Sequence, residues 1–265
     1  MDRQHQDKQK KLSRISIWHY IKLAYRGTLL VAAIIMYIYD RVNGKVDLLN
    51  RLVNHKGLLG LIWAVFMIEM VMRMFPSPLE SMGCEKQFAK NYRPAVSDKG
   101  TAPVPVLQSW KRTLAVFAAW CALNGVLGAF YLGGIFDRTI MLCIALAFSV
   151  CDMICILFFC PFQTWFMKNK CCTTCRIYNW DYAMMFTPLL FIPEPYTWSL
   201  LGTALVVLVL WEVRLHRYPE RFSEATNESL RCVNCKEKLC SHKRQLRKFL
   251  KKQRALVEER FEKIM

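Results

Sequence analysis

Two short stretches of this chain concentrate residues that bind metals. KCCTTCRIYNWD, from Lys170 to Asp181, holds Cys171, Cys172 and Cys175, and RCVNCKEKLCSH, from Arg231 to His242, holds Cys232, Cys235, Cys240 and His242. Cys-x-x-Cys spacing lets one tight turn present two sulfurs to one ion. Cys172 and Cys175 together with Cys232 and Cys235 therefore make up a tetrahedral four-thiolate set of the kind zinc takes. Cys171, Cys240 and His242 exceed what one zinc needs, and they leave two alternatives open. One is a local zinc site from Cys232, Cys235, Cys240 and His242; the other is an iron–sulfur cluster on four thiolates. Zinc ranks ahead of a cluster because the C-x-x-C-x-x-C run of the commonest ferredoxins is missing. Dithiol exchange at Cys172 and Cys175 would draw on Lys170 and Arg176 to favour the thiolate, yet cationic neighbours are general in loops of this kind.

A second group of candidates consists of polar residues inside apolar runs, where a charge is costly unless paired or hydrated. Glu69 precedes Arg73 by four residues, the spacing of a helical ion pair. Asp152 stands near the middle of its run with no helical partner, which points it to an interior near Asn124 or Glu69. Asp152 and Glu69 are the residues that an ion transporter would use. Cys143, Ala147, Cys151 and Cys155 recur at fourfold intervals, which suits close helix packing. The same cysteines with Asp152, Met153, Cys160 and the methionines at 67, 70, 72 and 74 would line a path for a soft ion such as Cu(I).

The elements that carry these residues are apolar spans. Of the 265 residues 54% are hydrophobic, and they gather into long, nearly uncharged runs. Six runs approach the roughly 20 residues that a bilayer-crossing helix requires: 17–39, 57–75, 113–136, 139–161, 178–193 and 196–213. The fifth carries Asp181, Pro188 and Pro193 and is the one most open to a re-entrant path. Of the 37 lysines and arginines, 32 lie in segments that alternate topology assigns to one side, including seven in residues 2–26 and fifteen from Arg214 onward. Basic loops stay cytoplasmic, so both termini are predicted to be cytoplasmic and the number of crossings even. The net charge of +17 follows largely from that asymmetry, which weakens any argument for nucleic acid.

The fold class expected is thus an all-α integral membrane protein of six transmembrane helices with a cytoplasmic, cysteine-rich, metal-binding tail. Residues 1–16 form a basic cytoplasmic segment, 17–213 the bundle, and 214–265 the tail. The polar start MDRQHQDKQKKLSRIS is too long for a cleavable signal, so the first helix is a retained anchor. A hairpin of the fifth and sixth spans returns the chain to the face it left. Both cysteine clusters then share the reducing cytoplasm, where metal binding is favoured over structural disulfides. Leu246, Phe249, Leu250, Val257 and Phe261 give 243–265 helical periodicity on a basic background, suited to anionic lipid, a helical protein partner or self-association. The Asn227-Glu228-Ser229 sequon has no role on a cytoplasmic face.

His19, His55 and His216 lie near span ends and no histidine lies at depth, the external loops hold no cysteine, and no glycine-rich phosphate loop or serine–histidine–acid set occurs. Membrane b-type cytochromes, disulfide-generating oxidoreductases and nucleophilic hydrolases are thereby disfavoured. The expectation is a non-enzymatic protein of the prokaryotic plasma membrane, whose zinc fastens the tail to the 168–177 loop and makes a docking or sensing platform. Transport through Asp152 and Glu69 is the second expectation, and an iron–sulfur electron carrier the third.

Overall fold

A computed structural model describes residues 14–43, 56–76, 82–95, 103–169 and 171–234, without the side chains at 14, 15, 56, 58, 82–84 and 232. Cys235, Cys240, His242 and the 243–265 segment lie outside the described residues. Among the described residues the structure is helical and holds no strand; extended pairing is confined to a lone bridge between Pro94 and Asn227. Helix α1 is Arg14–Asn43, α2 Lys56–Met74, α3 Met82–Gln87, α4 Trp110–Leu132, α5 Arg138–Leu157, α6 Asp181–Phe186 and α7 Pro195–Arg217. Four segments, Ser16–Asn43, Trp110–Leu132, Arg138–Leu157 and Pro195–Arg217, are each long and apolar enough to cross a membrane.

Helix bounds depart from the apolar windows in a consistent way. The helices α1 and α7 run on past the last apolar residue, because a helix ends where its capping ends and not where hydropathy falls. Asp137 caps α5 by accepting the Ile140 amide at 2.8 Å. The larger departure is at 178–193, which is no continuous helix. Two 3-10 stretches, Arg176–Trp180 and Thr187–Phe191, flank the six-residue α6. Pro188 lacks the amide hydrogen that an α-helix would need there, so the α geometry stops before it. The segment still runs antiparallel to α7. Trp180 Nε1 donates to Glu212 at one end, and Trp198 Nε1 donates to the Leu190 carbonyl at the other. Fourteen helical residues separate Glu212 from Trp198, a path of about 21 Å.

Helix ends gather at two poles. At one, Arg41 of α1 meets Asp137 before α5 at 3.7 Å, and Arg138 meets Glu194 before α7 at 3.8 Å. At the other, Tyr20 of α1 packs edge-on against Phe158 after α5, and Arg214 of α7 donates to the Met74 carbonyl of α2 at 3.0 Å. The main core lies between α2, α5, α6 and α7 and includes Phe66, Met70, Met141, Met185, Phe186, Ala204 and Trp211. In α4, a Cβ at Gly128 would run into the Phe191 ring, so glycine there lets the second 3-10 stretch lie against the helix.

Burial on α1 is inverted relative to a water-soluble helix. Its buried face carries Ser16, His19, Lys22, Arg26, Ala33 and Asp40, while Ile17, Ile21, Val31, Ile35, Ile38 and Val42 are exposed. Polar groups turned inward and aliphatic groups outward is the arrangement that lipid solvent demands.

Candidate functional site

Beneath the pole where α2 and α5 end lies a cluster of buried charges. Arg26, fully buried, is its centre. Its Nη2 lies 2.7 Å from Glu69 Oε2, and its Nη1 lies 3.3 Å from Asp152 Oδ2 while donating to the Ser149 carbonyl at 3.1 Å. Glu69 also receives Lys22 at 3.5 Å, the Tyr25 hydroxyl at 2.6 Å and the Tyr182 hydroxyl at 3.3 Å. Beside this group, Arg73 pairs with Asp181 at 2.8 Å, donates to the Tyr178 carbonyl and lies over the rings of Tyr178 and Tyr182. Three cations, Lys22, Arg26 and Arg73, thus face three carboxylates, Glu69, Asp152 and Asp181. Such a set is stable in apolar surroundings only because it balances and because each carboxylate accepts more than a Coulombic contact.

The Glu69–Arg73 pair expected from fourfold spacing is therefore corrected. Both lie on α2, but each is drawn to a partner on another helix, where burial makes the contact stronger than one at a solvated face. Asp152 does face the interior, and it shares Arg26 with Glu69. Asn124 belongs elsewhere: its amide donates to the Trp120 carbonyl one turn back. Lys22, Arg26, Tyr25 and Tyr182 were not among the expected site residues. A signal for two of them is present in the sequence, because Ser16, His19, Lys22 and Arg26 recur every three or four residues in an otherwise apolar helix.

Next to the ionic cluster is a cavity of about 330 Å³ lined by Cys151, Cys155, Cys160, Cys172 and Cys175, by Asp152 and Asp181, and by aromatic and methionine side chains. Gln163 ties two of the thiols together: its backbone N–H donates to Cys160 Sγ at 3.4 Å, and its Oε1 accepts from Cys172 Sγ at 3.0 Å. Cys175 is buried against Val116, Met167 and Ile177. That burial pushes its thiol up to about 12, with the neighbouring Cys160 adding to the shift. Cys171 is satisfied within its own turn, at 3.0 Å from Thr173 Oγ1.

The polar segments between helices assemble into a cap at the same pole. Gln87 of α3 donates to the Thr173 carbonyl at 2.9 Å, and the carbonyl of the preceding Lys86 accepts from Asn227 Nδ2 at 3.1 Å. The KCCTTC turn and the chain leading into RCVNC therefore flank one short helix. Asn227 is fully buried; it also donates to the Arg221 carbonyl and accepts from the amides of Arg93 and Ser229. Both ends of its amide are committed, which leaves no nitrogen for a glycan. Ser223 Oγ accepts the Val106 amide at 2.9 Å and straps the proline-rich 103–109 segment across. A cavity of about 440 Å³ lies within the cap beside α7, with Arg176, Glu212, Glu224 and Lys168 on its walls. Lys168 is left-handed at φ 48, a conformation costing on the order of 1 kcal/mol for a non-glycine residue.

Among the described residues, no group of three or more histidines, cysteines, aspartates or glutamates is placed to hold a metal ion. Cys172 and Cys175 are described, Cys232 only by its backbone, and the remaining predicted ligands lie outside the described residues. No family model, curated protein or solved structure matches this chain.

Proposed function

We propose that the chain is a six-pass, non-enzymatic membrane protein, both termini cytoplasmic, whose cap is a docking or sensing platform reinforced by zinc in the tail. The observation that carries this reading is a pair of hydrogen bonds, from Asn227 to the Lys86 carbonyl and from Gln87 to the Thr173 carbonyl, which ties the first cysteine motif and the chain leading into the second to one helix. Six passes are supported by the placement of helix ends at two poles and by the path of about 21 Å that 180–190 follows along α7, about two-thirds of a hydrocarbon core. The basic residues of the cap and tail support its cytoplasmic side.

Within this reading the zinc belongs to Cys232, Cys235, Cys240 and His242. Cys175 is turned into an apolar cluster and Cys172 is engaged by Gln163, so bringing them to a tail ion would require both to leave their partners. Hydrogen bonds already perform the fastening expected of an inter-cluster ion. The transporter reading gains nothing from this geometry, since Glu69 and Asp152 are both held by Arg26.

Zinc analysis of purified full-length protein tests the proposal. About one zinc per chain is expected, retained in Cys172→Ser and lost in Cys240→Ser and His242→Ala. The two tail variants should also become protease-sensitive beyond residue 231. Zinc lost in Cys172→Ser would return the site to the inter-cluster set; iron with sulfide in place of zinc would favour an electron carrier. Asn227→Ala should loosen 219–231 toward protease with zinc unchanged, at a cost of about 1–3 kcal/mol for each buried group left unpaired.

A further inference from the structure

The cavity beside the ionic cluster has a thiol-rich lining that the proposed platform does not use. Its thiols form a chain of neighbours with Cys160 at the middle. Cys155, in the last turn of α5, is within hydrogen-bonding reach of Cys160. Cys160 lies just past the α5 C-cap, next to Pro161, and lines the cavity together with Cys175. The Gln163 backbone amide donates to the Cys160 sulfur at 3.4 Å. Volume remains beside the pair, and the surrounding wall is apolar.

We propose that Cys155 and Cys160, in this cavity, bind one soft monovalent cation of the Cu(I) or Ag(I) type through two thiolates. The argument is one of coordination number and softness. Zinc would demand four ligands, and among the described residues not even three converge. Two neighbouring cysteine sulfurs, with Met184 and Met185 also on the wall, suit a closed-shell monovalent ion, for which thiolate and thioether ligands are selective. Hard divalent cations would look for oxygen donors, and the two carboxylates on the wall, Asp152 and Asp181, are each already held by an arginine. The step balances without oxidation: two thiols and one monovalent cation give a bis-thiolate complex of charge minus one and two protons, which leave to solvent.

The test is a Cu(I) titration of the full-length protein in detergent under anaerobic, reducing conditions, against a chromogenic Cu(I) chelator. Tail thiols also take Cu(I), so the reading is a difference between proteins. Cys155→Ser and Cys160→Ser should each lose one equivalent relative to the unmutated chain, with zinc content unchanged. Cys121→Ser should lose none, and Cys155→Met, which restores a soft sulfur, should recover the equivalent at weaker affinity. X-ray absorption on protein loaded with a single Cu(I) should show a two-sulfur shell. Stoichiometry unchanged in both serine variants would overturn the proposal, as would a lipid acyl chain found occupying the cavity in protein that still binds the full complement. If Cys160→Ser does not fold, Cys155→Ser together with Cys155→Met carries the same decision.

Discussion

Two interiors lie side by side at one pole of this bundle, and they share a wall. The ionic cluster is filled, with three cations and three carboxylates each within reach of a partner of opposite sign. The thiol cavity, about 330 Å³ in volume, keeps open space although Asp152 and Asp181 belong to both regions. The contrast separates two uses of polar residues in an apolar bundle. Charges that neutralise one another hold helices in register and leave little freedom, whereas weakly polar sulfur tolerates unfilled volume because a thiol costs little to bury.

The most severe way to break the contrast is to remove the centre of the cluster. Arg26→Met strands Glu69 and Asp152 without their main counter-charge and should cost about 3–5 kcal/mol, seen as a large fall in unfolding temperature in detergent. An unchanged unfolding temperature would mean that the cluster is not what locks α1 to α2 and α5. At the second pair, Arg73→Met or Asp181→Leu alone should destabilise in the same sense. The double variant should recover much of the loss, with a coupling energy of about 0.5–3 kcal/mol in a double-mutant cycle. Additive losses would show that Arg73 and Asp181 act separately. On the cavity side the expected effects shrink. Cys155→Met places a larger side chain where space exists and should cost less than about 1.5 kcal/mol, so a fall as great as that of Arg26→Met would deny the contrast.

The smallest expected effect is a pH dependence at Cys175. Its pKa in the fold, about 12, stands above the ordinary thiol value of about 8.5, so folding favours the neutral form. The corresponding stability is complete below pH about 8.5 and is lost as pH rises toward 12. Alkylation of Cys175 at pH 8 should accordingly lag behind that of an exposed thiol. The unfolding temperature should fall less steeply between pH 9 and 11 in Cys175→Ala than in the unmutated chain.

Hydropathy made the long helices legible, since apolar runs of about 20 residues have few other uses. It did not reveal the broken course of 176–191, where Pro188 and the contacts with α7 decide the backbone. Glu69 and Asp152 were legible as interior residues because a lone charge in an apolar run has nowhere else to go. Their partners were not. Lys22 and Arg26 near the start of α1 read as flanking basic charge, and only three-dimensional packing turns them inward. The Glu69–Arg73 spacing misled because intrahelical spacing reports only neighbours on the same helix. The cysteine motifs were legible as a group, but the thiol-lined cavity joins Cys155, which periodicity assigns to packing, with Cys160 and with Cys175, which its Cys-x-x-Cys spacing assigns to a metal site.

The Arg73–Asp181 pair also carries a consequence for biogenesis. The 178–193 segment is short, interrupted by proline and burdened with a carboxylate, a poor substrate for the machinery that partitions nascent helices into lipid. Arg73 is synthesised more than a hundred residues earlier and would already be waiting when Asp181 emerges. On the six-pass reading proposed above, integration of the weak segment depends on a receptor built from the chain itself, and Arg73→Ala should show its earliest defect as failed insertion of 178–193 rather than as a less stable finished protein.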